Sequence, residues 1–174
     1  MADAAIVVGA SLLMAACAHI SIPLWFTPVP ITLQTFGVMC LALSLGGWRA
    51  SAALLLYVLE GVCGLPVFSP HGPGGIAQLL GPTGGYLMAY PVAALCGGVL
   101  AEKVFKGSPL LRLSVGAVVC EFVIFAAGAL WLLLLSHQAA GTILASAVLP
   151  FLPGEILKGI AAIAAALGTR RILS

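Results

Sequence analysis

Long apolar runs constrain the fold of this chain more than any other feature. Glycine, proline and charged residues bound six such runs, at roughly 4–24, 33–45, 50–65, 83–100, 110–135 and 143–167. Hydrophobic residues make up 62% of the 174 residues and charged ones only 7%, whereas soluble domains carry about 25% charged residues. A bilayer core about 30 Å thick needs about 20 apolar residues per helix, which leaves room for about six spans and no soluble domain. We therefore predict an all-α integral membrane protein, a single domain of six transmembrane helices over residues 1–174.

The distribution of basic residues predicts the orientation of these spans. With six spans, both termini and the even-numbered turns lie on one side of the membrane. That side holds six of the seven Lys and Arg residues: Arg49, Lys103, Lys106, Arg112, Arg170 and Arg171. By the positive-inside rule this side, with both termini, is cytoplasmic, as in a multi-pass protein of a bacterial inner membrane. The formal net charge of +2 is too small and too scattered to indicate a nucleic-acid partner.

The seventh basic residue, Lys158, lies inside the last apolar run with Glu155 three positions before it. Residues three apart share one face of a helix. Each charge costs on the order of 2.5 to 3.5 kcal/mol at the centre of a membrane helix, so the pair needs a partner, a wet cavity or a function. It either joins helices as an ion pair or binds a ligand. Because Pro153 and Gly154 indicate a helix break or start beside the pair, we predict a ligand site.

Two loops on the outer side, 28–34 and 66–86, face the end of the last run that carries this pair. The second is rich in glycine and proline, which allow tight turns and a close approach to a ligand, so it has the character of a lid. The sequence contains no GxxxxGK[ST] phosphate-binding loop, so ATP-driven transport would need a separate ATPase subunit.

Other polar or aromatic residues in the apolar runs leave alternatives open. Glu60 and Glu121 are either hydrogen-bonded carboxyls between helices or groups with a proton or ligand role. Trp131 is either an interfacial anchor or a ring that stacks on a ligand. The small face of the first helix, with Ser11 and Ala15, suits internal packing and docking of another subunit equally well.

No metal or redox site is predicted. The histidines are too widely separated to indicate a metal site, and the five cysteines lack CxxC spacing and are interpreted as free thiols. An intramembrane enzyme is disfavoured because the chain has no HExxH motif and no recognisable Ser/His arrangement.

Four motifs in order resemble the BioY family, the biotin-specific S components of energy-coupling-factor (ECF) transporters. They are PVPITLQT (28–35), GLPVFS (64–69), GPTGGYL (81–87) and the acidic-xx-Lys of the last run. The resemblance implies an S-component-like bundle, without a cofactor, that holds biotin as its transported substrate in an outward-facing pocket. It also implies partners, a transmembrane T subunit and two ATPase subunits, with the T subunit docking near Ser11 and Ala15. An S component for riboflavin or thiamine and a structural membrane subunit are the alternatives.

The resemblance also implies which residues lie in or near the pocket: Gln34, Thr35, Gly74, Gly75, Tyr86, Glu155 and Lys158. A carboxylate at Glu155 can accept from the ureido N–H groups of biotin. Lys158 can donate to the ureido carbonyl or to the tail carboxylate, and this choice stays open. Apolar cover would come from Phe68, Tyr86 and possible stacking by Trp131. Glu155 stands where the family pattern has aspartate, and SPHGP (69–73) replaces a plainer glycine run.

Overall fold

The structure is a computed structural model that describes residues 2–104 and 108–173. Its elements are α1 (Ala2–His19), β1 (Ser21–Ile22), β2 (Ile31–Thr32), α2 (Gln34–Leu45), α3 (Gly47–Val62), α4 (Gly75–Leu80), α5 (Gly84–Val99), α6 (Pro109–Ser136), α7 (Ala140–Ala147) and α8 (Leu152–Leu173). A short π-helical segment, Leu100–Val104, extends α5. The fold is therefore mostly helical, as predicted, with one small hairpin.

Three helical segments of the described chain are long and apolar enough to cross a membrane. They are Gly84–Lys103, Pro109–Ser136 and Leu152–Thr169. Helices α1 and α2 are apolar but shorter. At about 1.5 Å per residue, the 12 residues of α2 span about 18 Å, well below the bilayer core.

Small residues allow the central helices to pack closely. Helix α5 packs against α3, α6 and α2, and α8 packs against α2 and α6. A Cβ atom added at Gly97 of α5 would lie 2.5 Å from the carbonyl oxygen of Gly116 on α6. A Cβ at Gly98 would lie 2.5 Å from the Cα of Gly47, where α3 begins. These contacts are the close helix approaches that small residues permit in membranes.

Two of the predicted spans differ from the structure. The first run was expected to stay helical to position 24, but α1 ends at His19 and the chain enters the hairpin. There Ser21 pairs with Thr32 and Ile22 with Ile31. Pro23 explains why the helix cannot continue, because the residue before a proline avoids the helical region and Ile22 is extended in β1. Pro28 and Pro30 keep the loop that follows non-helical.

The last run, expected as one span over 143–167, is divided into α7 and α8. Helix α8 begins at Leu152, with Pro153 in its first turn, where a missing N–H costs no helical hydrogen bond. The predicted helix start beside Glu155 is thus observed, and the preceding turn allows α7 to fold separately.

Contacts at one end of the bundle bring several predicted cytoplasmic segments together. Arg49, at the start of α3, forms a 2.9 Å ion pair with Asp3, at the start of α1. Arg112, near the start of α6, donates to the carbonyl oxygens of Ala101 and Glu102. Lys106 and the side chains of Arg170 and Arg171 lie outside the described part of the chain.

Candidate ligand-binding site

Glu155 and Lys158 form a buried hydrogen-bonded cluster with the start of α2. Lys158 Nζ lies 2.7 Å from Glu155 Oε1, and the two side chains are only 12% and 7% exposed. Thr35 donates to Glu155 Oε2 over 2.6 Å and accepts from Lys158 Nζ over 3.1 Å. The third donor bond of Lys158 goes to the carbonyl oxygen of Thr32, at 2.7 Å. All three ammonium hydrogens therefore have protein acceptors.

Local structure places both halves of this cluster. The hairpin positions Thr32, whose hydroxyl accepts from the backbone N–H of Gln34 at the start of α2. Glu155 lies in the first turn of α8, where the positive end of the helix dipole stabilises a carboxylate. Because α2 packs against α8, the loop before α2 and the first turns of α8 meet at one end of the bundle.

A cavity of about 40 Å³ lies next to this cluster. Its wall combines polar groups and aromatic rings from six segments of the chain: Val29, Pro30, Thr32, Gln34, Thr35, Ser69, Gln78, Thr83, Tyr86, Leu87, Tyr90, Phe125, Phe151 and Glu155. Small-ligand sites usually have this character, mainly apolar with a few placed polar groups. The cavity has room for only a few water molecules, so a larger ligand requires its walls to move.

The aromatic side of the cavity is a chain of ring contacts. Tyr86 and Phe125 meet edge to face, with ring centroids 5.9 Å apart, and Phe125 lies 6.3 Å from Phe151. The hydroxyl of Tyr86 donates to the carbonyl oxygen of Ala147, at 2.9 Å. This bond fixes the Tyr86 ring and ties α5 to the end of α7.

Two buried amide side chains complete the polar part of the wall. Gln34 Nε2 donates to the hydroxyl of Tyr57 over 2.9 Å. Gln78 Oε1 accepts from the backbone N–H of Gly74 over 3.2 Å. Gln78 is only 4% exposed, although the short helix α4 that carries it lies in a surface loop.

An outer cavity of about 280 Å³ lies beside the first, among the hairpin loop and the glycine-rich loop. The two cavities share Pro30, Ser69, Gln78 and Thr83. These four residues therefore separate the inner cavity from the outer one.

The structure brings Gln34, Thr35, Tyr86 and Glu155 of the predicted site to the inner cavity, with Lys158 bound behind Glu155. Gly74 and Gly75 do not line it. They have φ angles of 70° and 59° at the start of α4, a left-handed conformation that favours glycine, and so they shape the loop that carries Gln78.

Phe68 and Trp131 also lie outside the cavity wall. Phe68 is buried against the ring of Tyr57, at 5.5 Å between centroids. Trp131 is half-buried and donates from Nε1 to the carbonyl oxygen of Gly81 over 2.9 Å. Both aromatics therefore brace the glycine-rich loop rather than the cavity.

Sequence reasoning missed Gln78, Tyr90, Phe125 and Phe151. Gln78 had a usable signal, since it is the one polar side chain in the α4 sequence GIAQLL. The three aromatic residues gave no such signal, because an aromatic residue in an apolar run is equally compatible with a position that faces lipid.

The small residues predicted as a docking face divide between two environments. Ser11 is fully buried, and its hydroxyl donor is shared between the carbonyl oxygen of Val8, at 2.9 Å, and Glu60 Oε1 on α3, at 3.1 Å. Ala15 is half-buried against the core. Ser11 therefore does not lie on the outer surface of α1, whereas Ala15 borders it beside exposed residues such as Leu12 and Ala16. The buried position of Ser11 favours the internal-packing alternative for this residue, and docking of another subunit on α1 stays a prediction.

The apolar helices and the buried polar cavity are those of a polytopic membrane protein with a candidate small-ligand site. No group of three metal-binding side chains occurs among residues 2–104 and 108–173. The family model described as the BioY family matches residues 1–174, and this chain belongs to that family.

Named relatives and a solved structure agree with this membership. A protein of Pyrococcus horikoshii named "Probable biotin transporter BioY" is 38% identical over 78% of this chain and 77% of its own length. The "Biotin transporter BioY" of Rhodobacter capsulatus is 36% identical over 79% and 76%. The crystal structure of the S-component for biotin from an ECF-type ABC transporter matches with a TM-score of 0.83 at 26% identity, covering 98% of this chain and 89% of that one. The family is one of transporters, not of enzymes.

Proposed function

We propose that this chain is the biotin-binding S component of an ECF-type transporter and that it captures biotin in the inner cavity. The observation that carries this proposal is the cluster of Glu155, Lys158 and Thr35 beside a cavity walled by aromatic rings. The names of the relatives support biotin as the substrate.

The chemistry of the cavity suits each part of biotin. Glu155 lines the cavity and can accept from the ureido N–H groups, while the amides of Gln34 and Gln78 can pair with the ureido carbonyl or the tail carboxylate. Tyr86 and Phe125 can cover the fused rings. All three donors of Lys158 already have protein acceptors. Lys158 therefore holds Glu155 in position, and it binds biotin directly only if one of these bonds is exchanged for a bond to the ligand.

We propose that biotin reaches the inner cavity through the outer cavity beside it. The residues shared between the two cavities belong to the hairpin loop, the glycine-rich loop and the start of α5, so displacement of these segments would join the two spaces. We propose that the pocket opens on the outer side of the membrane in this way and that biotin binds with high affinity once the loops close.

We propose that the chain forms one domain with six transmembrane spans, which are α1, α2, α3, α5, α6 and α8. The ion pair between Arg49 and Asp3 lies at the end opposite the cavity, where the basic residues gather, so this end faces the cytoplasm of a bacterial inner membrane. The short α2 reaches across together with the hairpin that precedes it.

Equilibrium binding of biotin to the detergent-purified chain, with riboflavin and thiamine as competitors, tests the substrate. Wild type is compared with Lys158→Ala and with the matched variant Lys103→Ala. The second variant removes an exposed lysine that does not line the inner cavity. Tight binding that only biotin competes for, lost in Lys158→Ala and kept in Lys103→Ala, supports the proposal. Displacement by riboflavin or thiamine would change the substrate, and no binding to wild type would overturn the proposal.

Transport requires partners in this proposal: a T subunit and two ATPase subunits. We propose that the T subunit docks on the outer face of α1 beside Ala15, not at Ser11 itself. Ala16→Leu on that face should then abolish uptake in cells and leave biotin binding intact. Ser11→Leu should reduce both, because the larger side chain has no space between α1 and α3. Uptake that survives Ala16→Leu would contradict docking at this face.

A further inference from the structure

Glu121 on α6 is a half-buried acid that the proposed biotin contacts do not use. Both of its carboxyl oxygens are buried, and neither has a hydrogen-bond partner within the described chain. It lines a large groove of about 580 Å³ between α6 and α8, whose wall is almost entirely apolar. Glu155 and Phe125 belong to both this groove and the inner cavity, so Glu121 lies directly behind the proposed biotin site.

The charged groups around Glu121 do not balance if it is ionised. From α8 it faces Glu155 and Lys158, and on α5 the hydroxyl group of Tyr90 belongs to the inner cavity that Glu155 also lines. On the wall of the groove, α2 contributes Met39 and α7 contributes Leu144, neither of which titrates. One lysine therefore faces two glutamates.

The hydrogen bonds around Lys158 sharpen this imbalance. Its three donors go to Thr32, Thr35 and Glu155, so none is directed to Glu121. An ionised Glu121 would leave an unpaired negative charge in an apolar groove beside a second carboxylate, which is among the most costly arrangements in a membrane.

We propose that Glu121 is a proton-binding site, neutral at physiological pH, and that its proton links biotin binding to pH. A protonated Glu121 carries an O–H donor, and Glu155, which lines the same groove, offers a carboxylate that can accept it after a small side-chain movement. The same proton removes the excess negative charge behind the cavity. The proton site stands on the geometry alone, whereas its link to biotin rests on the proposed function.

The direction of the link follows from the charges. Biotin brings a carboxylate, so the complex favours the protonated form of Glu121 more than the empty protein does. Affinity should therefore fall as pH rises through the titration of Glu121, by at most about tenfold per pH unit for one linked proton. Glu121→Gln removes only the part of the pH dependence that belongs to Glu121.

Infrared spectroscopy of the ligand-free protein tests the proton site without reference to biotin. The chain has five acidic side chains, of which Asp3 and Glu102 are exposed. In a Glu60→Gln background the remaining acids that are not exposed are Glu121 and the paired Glu155. A carbonyl stretch from a neutral acid at neutral pH is expected there, and it should vanish in Glu60→Gln/Glu121→Gln. No such band in Glu60→Gln, or the same band in both proteins, would overturn the proposal, and the first of these outcomes needs no variant at Glu121.

Biotin binding measured across the pH range tests the link. Glu121→Gln should keep its affinity for biotin at high pH, where wild type loses it. Glu60→Gln, which removes a matched acid away from the cavity, should show the same pH dependence as wild type. A Glu121→Gln profile that matches wild type would overturn the link. If wild type binds no biotin at any pH, the proposed function fails, while the infrared result still decides the proton site.

Discussion

Two glutamates in the helices of this chain, the buried Glu155 and the half-buried Glu60, lie in contrasting surroundings. Glu155 has a lysine and a threonine on its two oxygens and borders a cavity. Glu60 has one bond, from Ser11, while its Oε2 is buried without a hydrogen-bond partner in the described chain, and no cavity described above includes it. A saturated cluster beside a cavity has the preorganisation that ligand binding requires. A single contact between α1 and α3 has the character of helix packing.

Removing the cation from the saturated cluster should give the largest effect. Lys158→Ala leaves Glu155 buried without its partner, which costs about 3–5 kcal/mol of stability, and it should abolish biotin binding. Replacing Glu155 and Lys158 together by leucine should restore most of the stability, because no unpaired charge remains, but not the binding. Thermal unfolding and biotin titration in detergent measure the two effects.

The double variant decides between the two interpretations of the pair. If it binds biotin as wild type does, Glu155 and Lys158 only join helices, and the contrast with Glu60 disappears. Lys103→Ala, which removes an exposed lysine, should change neither measurement.

Thr35→Val should have the next largest effect. The variant keeps the shape of the side chain but loses the donor to Glu155 and the acceptor for Lys158. A hydrogen bond to a charged group contributes about 2 kcal/mol, or roughly thirtyfold in the Kd for biotin. Thr35→Ser keeps the hydroxyl and should retain most of the affinity. Equal binding by the valine and serine variants would show that the hydroxyl is dispensable.

The helices and the charged pair could be predicted because their signals are local. Membrane helices are apolar along their length because no water surrounds them, so hydropathy alone identifies them. A lysine three residues after a glutamate in an apolar run has few interpretations, because charged residues in a membrane are costly. The resemblance to a family then added Thr35 and Gln34, which no spacing rule would have selected.

The rest depends on tertiary contacts that no local pattern encodes. The hairpin at 21–32 and the separate helix α7 are short and are held by their neighbours. Ser11 and Trp131 each had two possible environments, and only the packing of α1 on α3 and of α6 on the loop near Gly81 decides between them.

Tyr86→Phe should have a smaller effect and should separate ring from hydroxyl. The ring that faces Phe125 remains, while the carbonyl oxygen of Ala147 loses its buried donor. We expect a loss of about 1 kcal/mol in stability and little change in biotin affinity. Tyr86→Ala removes the ring as well and should weaken binding clearly. A phenylalanine variant that binds as poorly as the alanine variant would instead place the hydroxyl on the ligand.

Ser11→Ala should have the smallest effect and tests the independence of the two regions. It removes the bond to Glu60 without changing the packing of α1, and hydrogen bonds between membrane helices average about 0.6 kcal/mol. Because Ser11 and Glu60 share no contact with the Glu155 cluster, the loss should appear in thermal unfolding and not in biotin affinity. A matched Ser146→Ala, which removes an exposed hydroxyl on α7, should affect neither. A change in biotin affinity in Ser11→Ala would mean that the contact between α1 and α3 is coupled to the cavity. Helix α1, on which we propose that the T subunit docks, would then respond to whether biotin is bound.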